Sequence, residues 1–148
     1  MSYRKQFTTD EWETLQFAPL WVFTMVASVD GKVEKKEIAA LAKELSEGLL
    51  YKSDLAKEVF LSVAMNFSTI WPAYQRDSRD VVVGLHQAGE LVDEKLNATD
   101  AERFKRALIF MGKKILDSTS QGFFGKKDKS KETAALVLAA IALGIRPD

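Results

Sequence analysis

The chain has 148 residues, 47% of them hydrophobic and 28% charged, with 21 basic and 21 acidic side chains that cancel to a formal net charge of zero. That length suits one domain able to bury roughly 70% of its unfolded surface, and the balanced charge removes the long-range attraction on which a nucleic-acid binder relies. Cysteine is absent, which excludes disulfides, thiolate metal sites and cysteine nucleophiles together and fits a reducing cytoplasm.

Three prolines and eight glycines leave little room for a turn-rich β architecture, so an all-α bundle in a single unit spanning 1–148 is expected. No apolar signal core follows the basic start at Met1 to Phe7, and no run reaches the roughly 18 apolar residues of a membrane span. Neither secretion nor membrane crossing is expected.

Thr8 and Glu11 stand at capping-box spacing and open a first helix whose apolar side is Trp12, Leu15 and Phe17. Pro19 lacks a backbone donor and disfavours helical geometry at Ala18. This predicts a short helix ending near Phe17 and a second running from Pro19 to about Val29. The second piece is apolar nearly all round from Leu20 to Ala27, the mark of a segment at the centre of a bundle.

Asp30-Gly31 then makes a turn in which glycine takes positive φ at no steric cost. Val26 to Leu41 therefore reads as helix, acidic turn, helix. Ile38, Leu41, Ala42, Leu45 and Leu49 form an apolar stripe, with Lys35, Lys36, Lys43, Glu44 and Glu47 on a wet outer face and Gly48 at the end. Ser53-Asp54 caps the next helix, which turns Leu55, Val59, Phe60 and Val63 inward as far as about Asn66.

Trp71-Pro72 breaks the pattern, so Phe67 to Arg76 reads as an aromatic-rich connector folded back onto the core. A long helix from Ser78 to Leu96 carries Val81, Val82, Leu85, Leu91 and Val92 inward. Thr99 and Glu102 make a second capping box, followed by Phe104, Leu108, Met111, Ile115 and Leu116 at helical spacing and packed on the preceding helix. A polar loop from Ser118 to Ser130 holds Phe123-Phe124, and Ser130 caps a final helix ending near Gly144.

Several of these stretches together resemble the TerB-like family. They are Glu11-Trp12 and Pro19 before an apolar helix, Ala27-Ser28-Val29-Asp30-Gly31-Lys32-Val33 followed by Glu37, and Gly122-Phe123-Phe124-Gly125 leading into the helix of Glu132 to Leu136. The resemblance implies a bundle of about seven helices, bacterial and cytoplasmic, serving stress-response or tellurite and metal-resistance systems by binding rather than catalysis. The family is related to the N-terminal domain of the membrane-anchored co-chaperone DjlA. An adaptor or co-chaperone-type domain with no metal role is therefore the alternative, with protein partners near the inner membrane. Family members carry two acidic turns of the Asp-Gly type; this chain keeps the first and has Lys126-Lys127-Asp128-Lys129 in place of the second.

Asp30, Glu34 and Glu37 are the candidate metal ligands. With Gly31 at the glycine position of an EF-hand loop, Asp30 and Glu34 fall at ligand positions and Glu37 at the final glutamate, whereas Val26 and Ser28 stand where aspartates normally supply charge. The three carboxylates either hold a divalent cation such as calcium or magnesium weakly, or cap the helix and complement its positive end. His86, the single histidine, has no second histidine or cysteine to join it and reads as a partly buried packing residue. No serine elbow, phosphate loop or dinucleotide fingerprint appears, so no catalytic residue is assigned. Lys113-Lys114 and Lys126 to Lys131 form a basic segment, either a solvated loop or a contact for an acidic lipid or partner.

Overall fold

The computed structural model describes residues 2–27, 35–120 and 129–145. Among them the chain is all-α: α1 (Thr9–Ala27), α2 (Lys35–Ser46), α3 (Asp54–Met65), α4 (Phe67–Arg76), α5 (Val81–Lys95), α6 (Ala98–Ser120) and α7 (Lys129–Leu143), with 3-10 turns at Tyr3–Gln6 and Gly48–Leu50 and no strand. The Asp30-Gly31 turn lies outside the described residues, as does the loop at 121–128 with its Phe123-Phe124 pair. The ends of α1 and α2 flank the first of these as the helix, turn, helix reading requires.

The first helix opens on the expected capping box: Thr8 N donates to Glu11 Oε1 at 2.8 Å and Glu11 N to Thr8 Oγ1 at 3.1 Å. The break at Pro19 does not occur, and α1 runs unbroken through it. A helix-interior proline costs roughly 3 kcal/mol. Leu15, Phe17, Ala18, Leu20, Trp21, Val22 and Phe23 are all at most 1% exposed, and burying two or three such side chains at about 1.5–3 kcal/mol each outweighs that cost. Apolar on every side, α1 is the axis of the bundle and packs against α3, α4, α5, α6 and α7.

Ser53 caps α3 as read, its hydroxyl accepting from Ala56 N at 3.0 Å, and α3 ends at Asn66. The expected connector from Phe67 is instead helix α4. Its aromatics at i, i+4 and i+7 stack into a row, Phe67 on Trp71 with centroids 5.5 Å apart and Trp71 on Tyr74 at 5.5 Å. The row lies against α1 through Phe23 and Phe17, so the fold-back onto the core holds although the loop does not. Pro72 is tolerated because the carbonyl it leaves without a donor, that of Ser68, belongs to an exposed residue open to water.

Helix α5 starts at Val81, three residues later than the pattern suggests, because Asp77 and Arg79 are occupied elsewhere. Arg79 grips Asp77 bidentately, donates to Thr14 Oγ1 and Gln87 Oε1 at 2.9 Å each, and lies over the Trp21 ring at 4.8 Å. This guanidinium holds the Asp77 carboxyl below its usual pKa. Leu85 and Val92 point inward as expected, but Val82 is exposed, and His86 is a surface residue beside Glu90 at 3.2 Å rather than a packing residue. Gly84 and Gly89 take the inward positions instead. They let α5 approach the Trp21 ring and the Leu143 carbonyl so closely that a Cβ would sit 2.3 Å from either.

The second capping box is displaced by two residues. Asn97 rather than Thr99 caps α6: Asp100 N donates to Asn97 Oδ1 at 2.8 Å, and Asn97 Nδ2 returns a bond to Asp100 Oδ2 at 3.1 Å. Phe104, Leu108, Met111, Ile115 and Leu116 are buried as expected, though α6 faces α1, α2 and α7 more than α5. Lys105, 2% exposed, donates from Nζ to both Asp93 oxygens at 2.8 Å and to the Gly144 carbonyl at 3.3 Å. Gly144, at φ +78°, closes α7 with paired bonds from Ile145 N to Ala140 O and from Gly144 N to Ile141 O, a turn that suits glycine.

Candidate interaction surface

Of the three candidate metal ligands, Asp30 and Glu34 lie outside the described residues. Glu37 is in the first turn of α2, 4% exposed and already engaged within the fold. Among the described residues, no three histidine, aspartate or glutamate side chains gather as a metal site requires.

The second acid on α2 departs from its expected place on a wet face. Glu44 is buried, accepts from Lys114 Nζ at 3.0 Å and takes a 3.3 Å bond from the Tyr51 hydroxyl. Glu37 and Glu44 are seven residues apart, two turns along one face, and that face packs against α6; Leu49 and Ala42, expected inside, are exposed instead. Lys114, read as part of a basic surface segment, is half-buried through its pairing with Glu44. Burial first, and then the Glu44 charge, push the Tyr51 phenol well above its ordinary pKa.

Tyr51 and Lys114, both held by Glu44, brace a surface. The Tyr51 ring stands edge-on to Phe60 at 4.9 Å and to Phe110 at 5.8 Å. Lys114 Nζ lies 5.6 Å from the Phe110 centroid, so Phe110 is positioned from two sides although 54% of it is exposed. Beside it opens a groove of about 370 Å³ between the Leu50–Ser53 segment and α6. Tyr51 and Ala107 form the floor, Leu50 and Phe110 the apolar walls, and Lys52, Arg103 and Arg106 the rim.

No carboxylate lines the groove. Arg106 is steadied by Glu102 at 3.1 Å, whereas Arg103 makes no ion pair among the described residues. Arg103 also borders a small polar cleft with Tyr3, Asp54 and Asp100, where burial and Asp100 raise the Tyr3 phenol.

Sequence reasoning missed this groove, yet its signal is present. Arg103, Arg106, Phe110 and Lys114 recur at three- and four-residue steps, a second stripe on α6 opposite the buried one. An aromatic residue on a cationic helix face marks a surface that the core does not account for. Other exposed apolar residues are Val137, Leu138 and Ile141 on α7. No helix among the described residues is long and apolar enough to cross a membrane.

No protein-family model matches the chain, and no solved structure does. It is 32% identical over 147 residues to the uncharacterized protein ORF11' of Methanothermobacter thermautotrophicus, covering 97% of this chain and 95% of that protein. The chain belongs to the same family as that protein.

Proposed function

We propose that this family member is a non-enzymatic helical interaction module, an adaptor-type domain whose contact surface is the groove between Leu50 and Phe110. The observation that carries the proposal is an exposed aromatic side chain held in place by the Tyr51 ring and by a lysine paired to buried Glu44, in an apolar groove with a wholly cationic rim. Fixing a large apolar group at the surface forgoes the stabilisation of burying it, and such fixed patches mark contact sites. The resemblance to the TerB-like family supports the same class and suggests a stress-response or tellurite and metal-resistance setting in the cytoplasm. Partners at the inner membrane would fit the relation to co-chaperone domains.

The groove is favoured over the acidic turn as the contact point, because Glu37 is buried and engaged. A weak calcium or magnesium site at Asp30, Glu34 and Glu37 belongs to the proposal as a secondary contact. Crosslinking in cell extract with the parent chain, a Leu50→Ser/Phe110→Ser variant and an Asp30→Asn/Glu37→Gln variant separates the two. The adaptor reading expects a discrete crosslinked species lost only in the groove variant. Identical crosslinking by the parent chain and the groove variant would sink it.

A further inference from the structure

We infer that the groove receives an amphipathic helix of another protein, one whose apolar stripe is flanked on both sides by aspartate or glutamate. This inference rests on the adaptor reading of the same groove and names the chemistry of the partner.

Charge complementarity sets the partner's sign. Lys52 stands on one bank and Arg103 and Arg106 on the other, with no carboxylate between them. In a chain of zero net charge, three cations around one groove are a local asymmetry that attracts an acidic partner to it. Because both banks are basic, a segment lying between them meets a cation on either flank. A guest with carboxylates along one edge alone would leave one bank unanswered.

Shape sets the class. The walls are a helix and a 3-10 turn, with no strand edge to extend, so an incoming segment must bring its own satisfied backbone hydrogen bonds, as a helix does. A groove of about 370 Å³ admits a few large side chains, the share that one face of a short helix offers at i, i+3, i+4 and i+7. A lipid surface fits less well. Three cations fall short of the clusters of about four to eight that hold anionic membranes. Arg103, without an ion pair among the described residues, is the rim cation available to a guest carboxylate, and its fork geometry suits a bidentate bond.

The test uses the full chain and a dye-labelled synthetic helix of two to three turns, with leucine at i, i+3, i+4 and i+7 and glutamate on both flanks. Matched peptides carry glutamine or lysine on the flanks, and binding is read by fluorescence anisotropy. The glutamate peptide is expected to bind about tenfold tighter than the glutamine peptide at low salt, with the gap closing at about 0.5 M salt. Arg103→Glu, which leaves Lys52 and Arg106 on the rim, should shrink the preference for the glutamate peptide without reversing it. Phe110→Ser and Leu50→Ser, both at exposed positions, should weaken all three peptides while leaving the thermal unfolding curve in place.

Equal binding of the glutamate and glutamine peptides overturns the acidic partner and leaves the groove reading standing. Binding of phosphatidylglycerol vesicles, but of no peptide, in a manner that depends on Phe110 replaces the protein partner with a lipid surface and overturns the inference. Concentration-dependent self-association lost in Phe110→Ser, with no peptide bound, makes a second copy of the chain the guest and overturns it likewise. Failure of peptides, vesicles and self-association alike removes the adaptor reading of the groove as well.

Discussion

Replacing Gly89 with alanine tests whether the close approach of α5 to α7 is a working part of the fold. A Cβ at Gly89 would lie 2.3 Å from the Leu143 carbonyl oxygen and 2.9 Å from its carbon, backbone atoms that no rotamer change can move. Restoring ordinary contact requires the end of α7 to retreat by about 1 Å, a large displacement in a close-packed interior. The same end carries the Gly144 carbonyl that accepts from Lys105, so the retreat also strains a buried ammonium. Helix propensity argues the opposite way, favouring alanine over glycine by about 1 kcal/mol. Overpacking of this kind costs about 1–3 kcal/mol, and the backbone contact puts Gly89 at the upper end. A net loss of about 1–2 kcal/mol is expected, or ~3–6 °C in Tm for a domain of this size. Urea and thermal unfolding followed by circular dichroism measure it. Gly112→Ala and Gly48→Ala provide the scale: a Cβ at Gly112 meets only the methyl tips of Leu136 and Val22 at 2.7 Å, and one at Gly48 comes no nearer than 3.1 Å to Phe60 Cβ. The loss should fall in the order Gly89, Gly112, Gly48. A Gly89→Ala chain as stable as its parent, or a greater loss at Gly48, would refute the reasoning.

Burial pushes the Tyr74 phenol up to about 12, against a small opposing effect of its bond with Thr24. A raised phenol pKa contributes stability that is complete below pH 10 and lost as pH climbs from the unfolded value of 10.0 through about 12. Tyr74→Phe should therefore flatten the alkaline limb of the stability curve by about 2 kcal/mol over that interval; urea titrations at pH 9 to 12 that show the same slope in both chains would contradict it. The Asp77 carboxyl, held down first by its bonds from Arg79, contributes stability present above its ordinary pKa of 3.8 and lost as pH falls through the depressed value. Asp77→Asn should make the acid limb shallower below pH 4, as read by far-ultraviolet circular dichroism. Asn97→Ala should cost about 1 kcal/mol and Thr99→Ala almost nothing, since the α6 cap hydrogen bond runs to Asn97; denaturant midpoints that rank the two the other way would restore the Thr99 capping box.

Local chemistry was legible where one side chain answers one backbone group. The Thr8-Glu11 box, the Ser53 cap and the Gly144 terminus were each readable because a cap needs only a donor, an acceptor and a spacing. The errors arose where distant packing overrides local preference. Pro19 and Pro72 sit inside helices because Trp21, Phe23 and the Trp71 row reward continuity with contacts far along the chain. Glu44 appeared wet because its partners, Tyr51 and Lys114, lie on other elements, and no periodicity on α2 alone could announce them. Val82 is exposed because the buried face of α5 is that of Gly84, Leu85, Ala88 and Val92, about a quarter turn away from it, and a glycine on that face carries no hydrophobic signal. The groove was readable in principle from Arg103, Arg106, Phe110 and Lys114, but its other wall comes from Leu50 to Ser53, which no periodicity on α6 can announce.

The central position of α1 has a consequence for how the protein is made. Its side chains are covered by helices that extend as far as Leu143, so α1 depends for its cover on segments made more than a hundred residues later. At roughly 5–20 residues per second, several seconds separate the emergence of α1 from that of α5, and α6 and α7 follow later still. In that interval α3 and α4 are its cover, through the bond from Gln16 to Ser62 and the aromatic contacts from Trp71 and Tyr74 to Phe23 and Phe17. A chain halted after α4 would leave the remaining sides of Leu15, Leu20 and Val22 open to water. They are covered once α5, α6 and α7 have packed against α1.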